Sequence, residues 1–176
     1  GNRTHPHPHL SSDRLIQPGD MIFMDIVCVF NGYLTCVYRC FCCGEPNQKQ
    51  KDIHAQCLEY QLGGIEAVKP GLTTADVCLA WPTAKTMGAK NEMEVFGLQY
   101  GHGLGVGLWE FPIMSRAYSL DHPVNIEPGM VFALETYAGI GFDGVRLEDE
   151  VVVTETGIEV ITKFPTDKLI GCGMSY

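Results

Sequence analysis

The dipeptide Asn31-Gly32, set between two apolar runs, constrains the fold of this chain more than any other feature. Met21-Ile22-Phe23-Met24-Asp25-Ile26-Val27-Cys28-Val29-Phe30 precedes it and the strand-like Tyr33 to Phe41 follows it. Asn-Gly between two such runs is the strongest short hairpin signal, because both residues accept the positive φ that a tight strand-to-strand turn requires. If Phe30 pairs with Tyr33, Val27 lies opposite Cys36, and Asp25 shares that face one diagonal step away. Asp25 and Cys36 are therefore expected to point the same way. A carboxylate inside a run this apolar is costly to bury, so Asp25 is expected to need a partner.

The same problem recurs twice. Glu135 is the single carboxylate in the apolar run Met130 to Tyr137, and Glu148 sits in Val145 to Val153, a strand with alternating charges at its centre. Along that strand Arg146 is expected to pair with Glu148 or Glu150, with Glu150 otherwise solvated. The glycine-rich stretch Gly101-His102-Gly103-Leu104-Gly105-Val106-Gly107-Leu108-Trp109-Glu110-Phe111-Pro112 adds one imidazole. Four glycines there let the backbone approach another group closely. A short strand over Glu94 to Tyr100 is expected to lead into it. Asp25, His102, Glu135 and Glu148 make a carboxylate and imidazole set of the kind that holds manganese, iron, cobalt or zinc, against the plainer reading of salt bridges.

Between these strands the pattern turns helical. Gln48 to Lys69 carries Ile53, Cys57, Leu58, Leu62, Ile65 and Val68 as an apolar stripe, with His54 read as a surface residue beside it. Thr73 and Asp76 read as a capping box opening a second helix with Val77, Ala80 and Trp81 inward, which Pro82 breaks or kinks. Gly139 to Gly144 is a glycine-rich turn, and Ile158 to Ile161 a last short strand.

Bulk properties narrow the function. At 176 residues, 45% hydrophobic and 19% charged, the chain suffices for one sizeable core, and residues 1–176 read as a single domain. A net charge of -9 with no basic run argues against a nucleic-acid partner. The apolar runs are too short to cross a bilayer, so a cytoplasmic protein with no membrane partner is expected. Its eight cysteines are expected to be reduced thiols. Cys36, Cys40, Cys42 and Cys43 are not read as a zinc cluster, because alternate strand positions face opposite ways. His5-Pro6-His7-Pro8-His9 reads as a solvated arm.

The order GDMIFMD, NGYLTCVYRCF, GHGLGVGLWEFP, PGMVFALETY and GVRLEDEVVVTETG resembles the pita-bread metallopeptidase family of methionine aminopeptidases, Xaa-Pro aminopeptidases, prolidases and creatinase, over nearly the whole chain. The resemblance implies an α+β fold, a curved antiparallel sheet backed by helices. It also implies that the domain's first helix and strand are missing at the N-terminus. Matched residue by residue, Asp25 is the first aspartate ligand, His102 the histidine ligand, Glu135 the catalytic glutamate ligand and Glu148 the bridging glutamate. Two positions depart from the family. The bridging aspartate falls on Cys36, and the second, substrate-contacting histidine falls on Trp109. A histidine near the start of the segment also contacts substrate in the family, and His5, His7 and His9 are all candidates.

A thiolate is a single soft donor where a carboxylate bridge offers two oxygens. One divalent transition metal ion (Zn, Fe, Mn or Co) is therefore expected, held by His102, Glu135 and Glu148 with Asp25 or Cys36. Trp109 supplies an aromatic wall suited to an apolar or cationic group. The leading expectation is metal-dependent hydrolysis of an Xaa-Pro type peptide bond by a metal-activated water, with Glu135 moving the proton and His102 beside it. Arg3-Thr4-His5-Pro6 and Leu147-Glu148-Asp149 also resemble the dimethylsulfoniopropionate lyases of the same fold, so a lyase or other non-peptidase is the second reading. The third is a binding protein with a degenerate, metal-free site. A small peptide or other small-molecule substrate and a homodimer are the expected partners.

Overall fold

The structure, a computed structural model, describes residues 3–5 and 12–173. Strands β1 (Met21–Phe30) and β2 (Tyr33–Cys43) form the expected hairpin, with Phe30 opposite Tyr33 and Val27 opposite Cys36. Asn31 (φ 50°) and Gly32 (φ 86°) both take the left-handed conformation that the tight turn demands. A short strand, Ile170–Cys172, runs parallel to the other edge of β2.

The second sheet is antiparallel. Its strands are β3 (Gln99–Gly103), β4 (Glu110–Ser115), β5 (Val131–Ile140), β6 (Asp143–Val153) and β7 (Ile158–Val160), in the order β4-β3-β5-β6-β7. Ile170–Cys172 is β8, so the first sheet runs β1-β2-β8. Side chains stitch the two sheets together where β2 passes beside β6. The Cys40 thiol donates to the Arg146 carbonyl (3.2 Å) and its sulfur accepts from the Arg146 N–H (3.1 Å). Arg39 Nη1 donates to the Glu148 carbonyl at 2.6 Å. These bonds satisfy β6 backbone groups that would otherwise be buried without partners.

Helix α1 (Gln48–Ala67) packs across β5 and β6, opened by a reciprocal capping box between Asn47 and Gln50. Ile53, Cys57, Ile65 and Val68 of its stripe are buried, whereas Leu62 is exposed. His54 is buried, not on the surface as its pattern suggested, because the chain near Asp167 to Leu169 folds over that side of the helix. Gly64 lies under Trp81, and a Cβ there would sit 2.2 Å from the indole ring. The ring in turn stacks on Tyr100 (5.0 Å, 22°). Helix α2 (Thr74–Ala80) has the expected Thr73–Asp76 box and stops before Pro82; Val77 and Trp81 point inward, but Ala80 is exposed. A short helix α3 (Arg116–Ser119) follows β4.

Other expectations are corrected. Glu92–Leu98 is a 3-10 helix, with strand only from Gln99, because Asn91 caps the Met93 and Glu94 N–H groups. His102 thus stands in a strand and not in a loop. The turn after β5 is only Gly141-Phe142, between Ile140 and Asp143. Of the expected solvated arm, His5 is held instead: its ring lies over Gly139, and the preceding Thr4 Oγ1 donates to the Phe142 carbonyl (3.0 Å). His7 and His9 fall outside the described residues. Asp25 is exposed, since β1 is the outer strand of its sheet, so the burial cost expected for it does not arise. No helix is long and apolar enough to cross a membrane among the described residues.

Candidate metal centre

His102 is held in β3 between two close backbone approaches. A Cβ on Gly101 would lie 2.7 Å from the Ala133 carbonyl oxygen, and one on Gly103 2.9 Å from those of Glu110 and Phe111. Only glycine on both sides lets β3 lie this close to β5 and β4, which is the close approach that the glycine-rich stretch anticipated. His102 Nδ1 lies 2.9 Å from the Gly103 carbonyl, which makes that nitrogen an N–H, so that in the neutral ring Nε2 carries the lone pair.

On β6, separated from β3 by β5 in the same sheet, Arg146, Glu148 and Glu150 project to the same side. Glu148 Oε1 is 3.6 Å from His102 Nε2, with both side chains fully buried. That separation exceeds a hydrogen bond, and His102 Nε2 and both Glu148 oxygens have no hydrogen-bond partner. Cys36 completes the group: its sulfur, His102 Nε2 and a Glu148 oxygen all lie within 4.8 Å of one another. Among the described residues this trio is the one cluster of ligand atoms close enough to share an ion. Burial pushes the Glu148 carboxyl up to about 7, partly offset by His102. Burial alone would lower His102, but Glu148 and the Gly103 carbonyl reverse this and raise it. The Cys36 thiol is pushed far up, by burial first and then by Glu148. Buried polar atoms left without partners are costly, and a cation between these three donors would satisfy all of them, so the residues present fit a divalent ion.

The other expected residues are placed differently. Asp25 Oδ1 is 3.7 Å from the Cys36 sulfur, as the hairpin register implied, but stands outside the trio. Glu135 is in register with Glu148 on the adjoining strand, and both its oxygens are engaged, Oε2 by Arg146 (2.7 Å) and Oε1 by Gln99 Nε2 (3.1 Å). Arg146 therefore pairs across the sheet, not along its own strand, while its guanidinium lies 4.7 Å from the Tyr38 ring and 5.8 Å from Tyr137. Glu150 is not solvated: it is buried and accepts the Cys36 N–H at 2.7 Å. It braces the thiol-bearing backbone, a role that only the crossing of β2 over β6 reveals. Trp109 is exposed but sets its ring edge-on to His102 (6.2 Å, 81°). His5 is half-buried, 6.4 Å from the Tyr137 ring.

Fold and donor set together are those of a protein with a candidate metal site built across a sheet. The chain belongs to metallopeptidase family M24, whose sequence model matches residues 1–155. The Xaa-Pro dipeptidase of Pyrococcus furiosus is 35% identical over 159 residues, covering 89% of this chain and 44% of that protein. An uncharacterized peptidase of Bacillus subtilis is 34% identical over 165 residues, covering 93% and 45%. Among solved structures, the prolidase from Pyrococcus furiosus superposes with a TM-score of 0.77 at 32% identity, covering 94% of this chain and 48% of that one. The fold is thus the pita-bread fold of the prolidases, as the motif order implied. The chain spans about half the length of the relatives it matches.

Proposed function

We propose that this cleft carries out metal-dependent hydrolysis of short Xaa-Pro type peptides. The observation that carries the reading is the buried Glu148–His102 pair, whose facing atoms have no hydrogen-bond partner, in a chain of family M24 with prolidase relatives. One divalent transition ion bound there would supply Lewis-acid polarisation of the scissile carbonyl and activation of water. Glu135, fixed at both oxygens by Arg146 and Gln99, takes a proton from the attacking water and returns it to the leaving amine. His102 and Glu148 act as ligands, with Asp25 at the solvent side of Cys36. Trp109 forms the wall against which an apolar or cationic substrate side chain packs, and His5 contacts substrate from beside Tyr137.

The rest of the reading concerns context. Residues 1–176 act as one catalytic-type domain. Free thiols at all eight cysteines suit the cytoplasm, and the exposed Ile26, Val27, Val29 and Phe30 of edge strand β1 offer a surface to a second copy in a homodimer.

Incubating the purified protein with Xaa-Pro dipeptides, in parallel with Mn, Co, Zn and Fe(II), tests this. Hydrolysis that depends on added metal and is lost in Glu135→Gln is expected. A protein that binds an ion but cleaves neither Xaa-Pro nor other dipeptides would overturn it. The departures at Cys36 and Trp109 keep a second reading, a lyase or other non-peptidase on the same scaffold, which predicts no dipeptide cleavage but turnover of a sulfonium substrate supplied in a parallel assay.

A further inference from the structure

The proposed function requires a cation in the cleft; the donors of this chain bear on which cation and how many. We propose that Cys36 Sγ, His102 Nε2 and one oxygen of Glu148 form a single-ion, thiolate-ligated centre that selects zinc or cobalt(II) over manganese and magnesium.

The geometry favours one ion. With metal–ligand bonds of about 2.0 to 2.3 Å, ligand atoms on a tetrahedral ion stand about 3.3 to 3.6 Å apart. The 3.6 Å between His102 Nε2 and Glu148 Oε1 already matches, and Cys36 Sγ lies within 4.8 Å of both, so a bound ion has only the sulfur to draw in. All three side chains are buried and come from three different strands, β2, β3 and β6, which fixes them before an ion arrives. A second ion about 3.5 to 4 Å away needs carboxylates that bridge. Glu135 has an oxygen on Arg146 and the other on Gln99, and Asp25 stands on the exposed edge strand outside the trio.

The chemistry favours a soft ion. A thiolate binds zinc and cobalt(II) well and the hard ions manganese and magnesium poorly. On binding, the S–H bond is exchanged for a sulfur–metal bond and the proton leaves to solvent; nothing is oxidised or reduced. The Glu150 carboxylate on the Cys36 N–H and the Glu148 carboxylate beside the sulfur leave local negative charge for the ion to offset.

Titration of the whole chain with cobalt(II) chloride, followed by visible and near-ultraviolet absorption, tests this directly. One cobalt per chain is expected, with a thiolate-to-cobalt charge-transfer band. That band should vanish in Cys36→Ser and persist in Cys28→Ser, a control at an exposed cysteine. Cys36→Asp should bind an ion without the band and shift the zinc-over-manganese preference toward manganese by about tenfold or more. Retained near-ultraviolet circular dichroism shows that the variants are folded. Two ions per chain, no charge-transfer band with cobalt bound, or a band that survives in Cys36→Ser would each overturn the proposal. Such a result leaves the hydrolase reading standing, because dipeptide cleavage with manganese is assayed separately.

Discussion

Replacing Arg146 by methionine removes the cation from a buried pair while keeping much of the side chain's length. Both partners of the pair are 8% exposed, and their contact is 2.7 Å. Breaking a buried pair from one side leaves an uncompensated charge, at a cost of about 3 to 5 kcal/mol. Part of that loss is the contact of the guanidinium with Tyr38, worth about 2 kcal/mol for a buried, desolvated cation over a ring. For a domain of this size each kcal/mol lowers Tm by about 2 to 4 °C, so the melting point should fall by about 6 to 20 °C. Glu135→Gln, which keeps the shape and the bond from Gln99, should cost less. The double variant should cost less than the sum of the two, with a coupling of about 1 to 3 kcal/mol. Urea unfolding of the four proteins in chelator-treated buffer measures this without a contribution from bound ions. Additive effects, or an Arg146→Met cost below about 1 kcal/mol, would refute the idea that this pair holds Glu135 in place.

Three further expectations separate packing from chemistry. Gly101→Ala should destabilise by about 1 to 3 kcal/mol, because the new methyl meets backbone at 2.7 Å, whereas Gly105→Ala meets only the movable Glu110 carboxylate at 3.3 Å and should be close to neutral in the same denaturation assay. Burial lowers the pKa of His54, with Asp167 opposing. Between that lowered value and the unfolded value near 6.5 the unfolded chain binds more protons, so stability should fall as pH drops through this window. His54→Gln should flatten that limb in urea midpoints taken from pH 7.5 downward, and an unchanged slope would refute it. Trp109→Ala, at a side chain 67% exposed, should leave stability within about 0.5 kcal/mol while raising KM for apolar dipeptides more than it changes kcat.

What was legible in the sequence was local. The Asn31-Gly32 turn sets the register of β1 on β2, and with it the neighbourhood of Asp25 and Cys36, without reference to the rest of the chain. The glycines around His102 announced a close backbone approach, and the approach is to β5 and β4. What escaped depends on which elements cross. Gln50, His54 and Gln61 are buried polar residues on α1, invisible to a pattern that marks only apolar positions; Gln61 Nε2 donates to the Leu134 carbonyl at 2.7 Å. Asn91, two residues ahead of Met93, was a readable cap, but the apolar residues after it suggested a strand. Along its own strand Arg146 has only Glu148 and Glu150 for partners, because strand order cannot be read from β6 alone; its partner comes from β5. Glu150 looked solvated for the same reason, since β2 lies far away in sequence and beside it in space.

The distribution of positive charge distinguishes the family's acids from one another in a way that their motifs do not. Four carboxylates lie buried on β5 and β6. Asp149 has Arg39 at 2.6 Å, Glu135 has Arg146 at 2.7 Å, and Glu150 has the Cys36 N–H. Glu148 faces His102, the Cys36 thiol and, in register on β5, Glu135, and burial raises its pKa with the Glu135 charge adding to the rise. Glu148 is therefore the acid of the four that lacks an arginine or backbone N–H partner, and positive charge there has to come from the imidazole or from a bound ion. Because a bound ion supplies that charge in the folded chain and has no comparable site in the unfolded one, zinc at 100 times its dissociation constant should stabilise the protein by about 2.7 kcal/mol. Glu148→Gln removes the deficit along with a ligand, so it should melt no lower than the wild type in chelator and gain little from zinc. A variant that is strongly destabilised in chelator, or that keeps the full zinc shift, would mean that Glu148 is a structural partner of His102 and not the residue the ion completes.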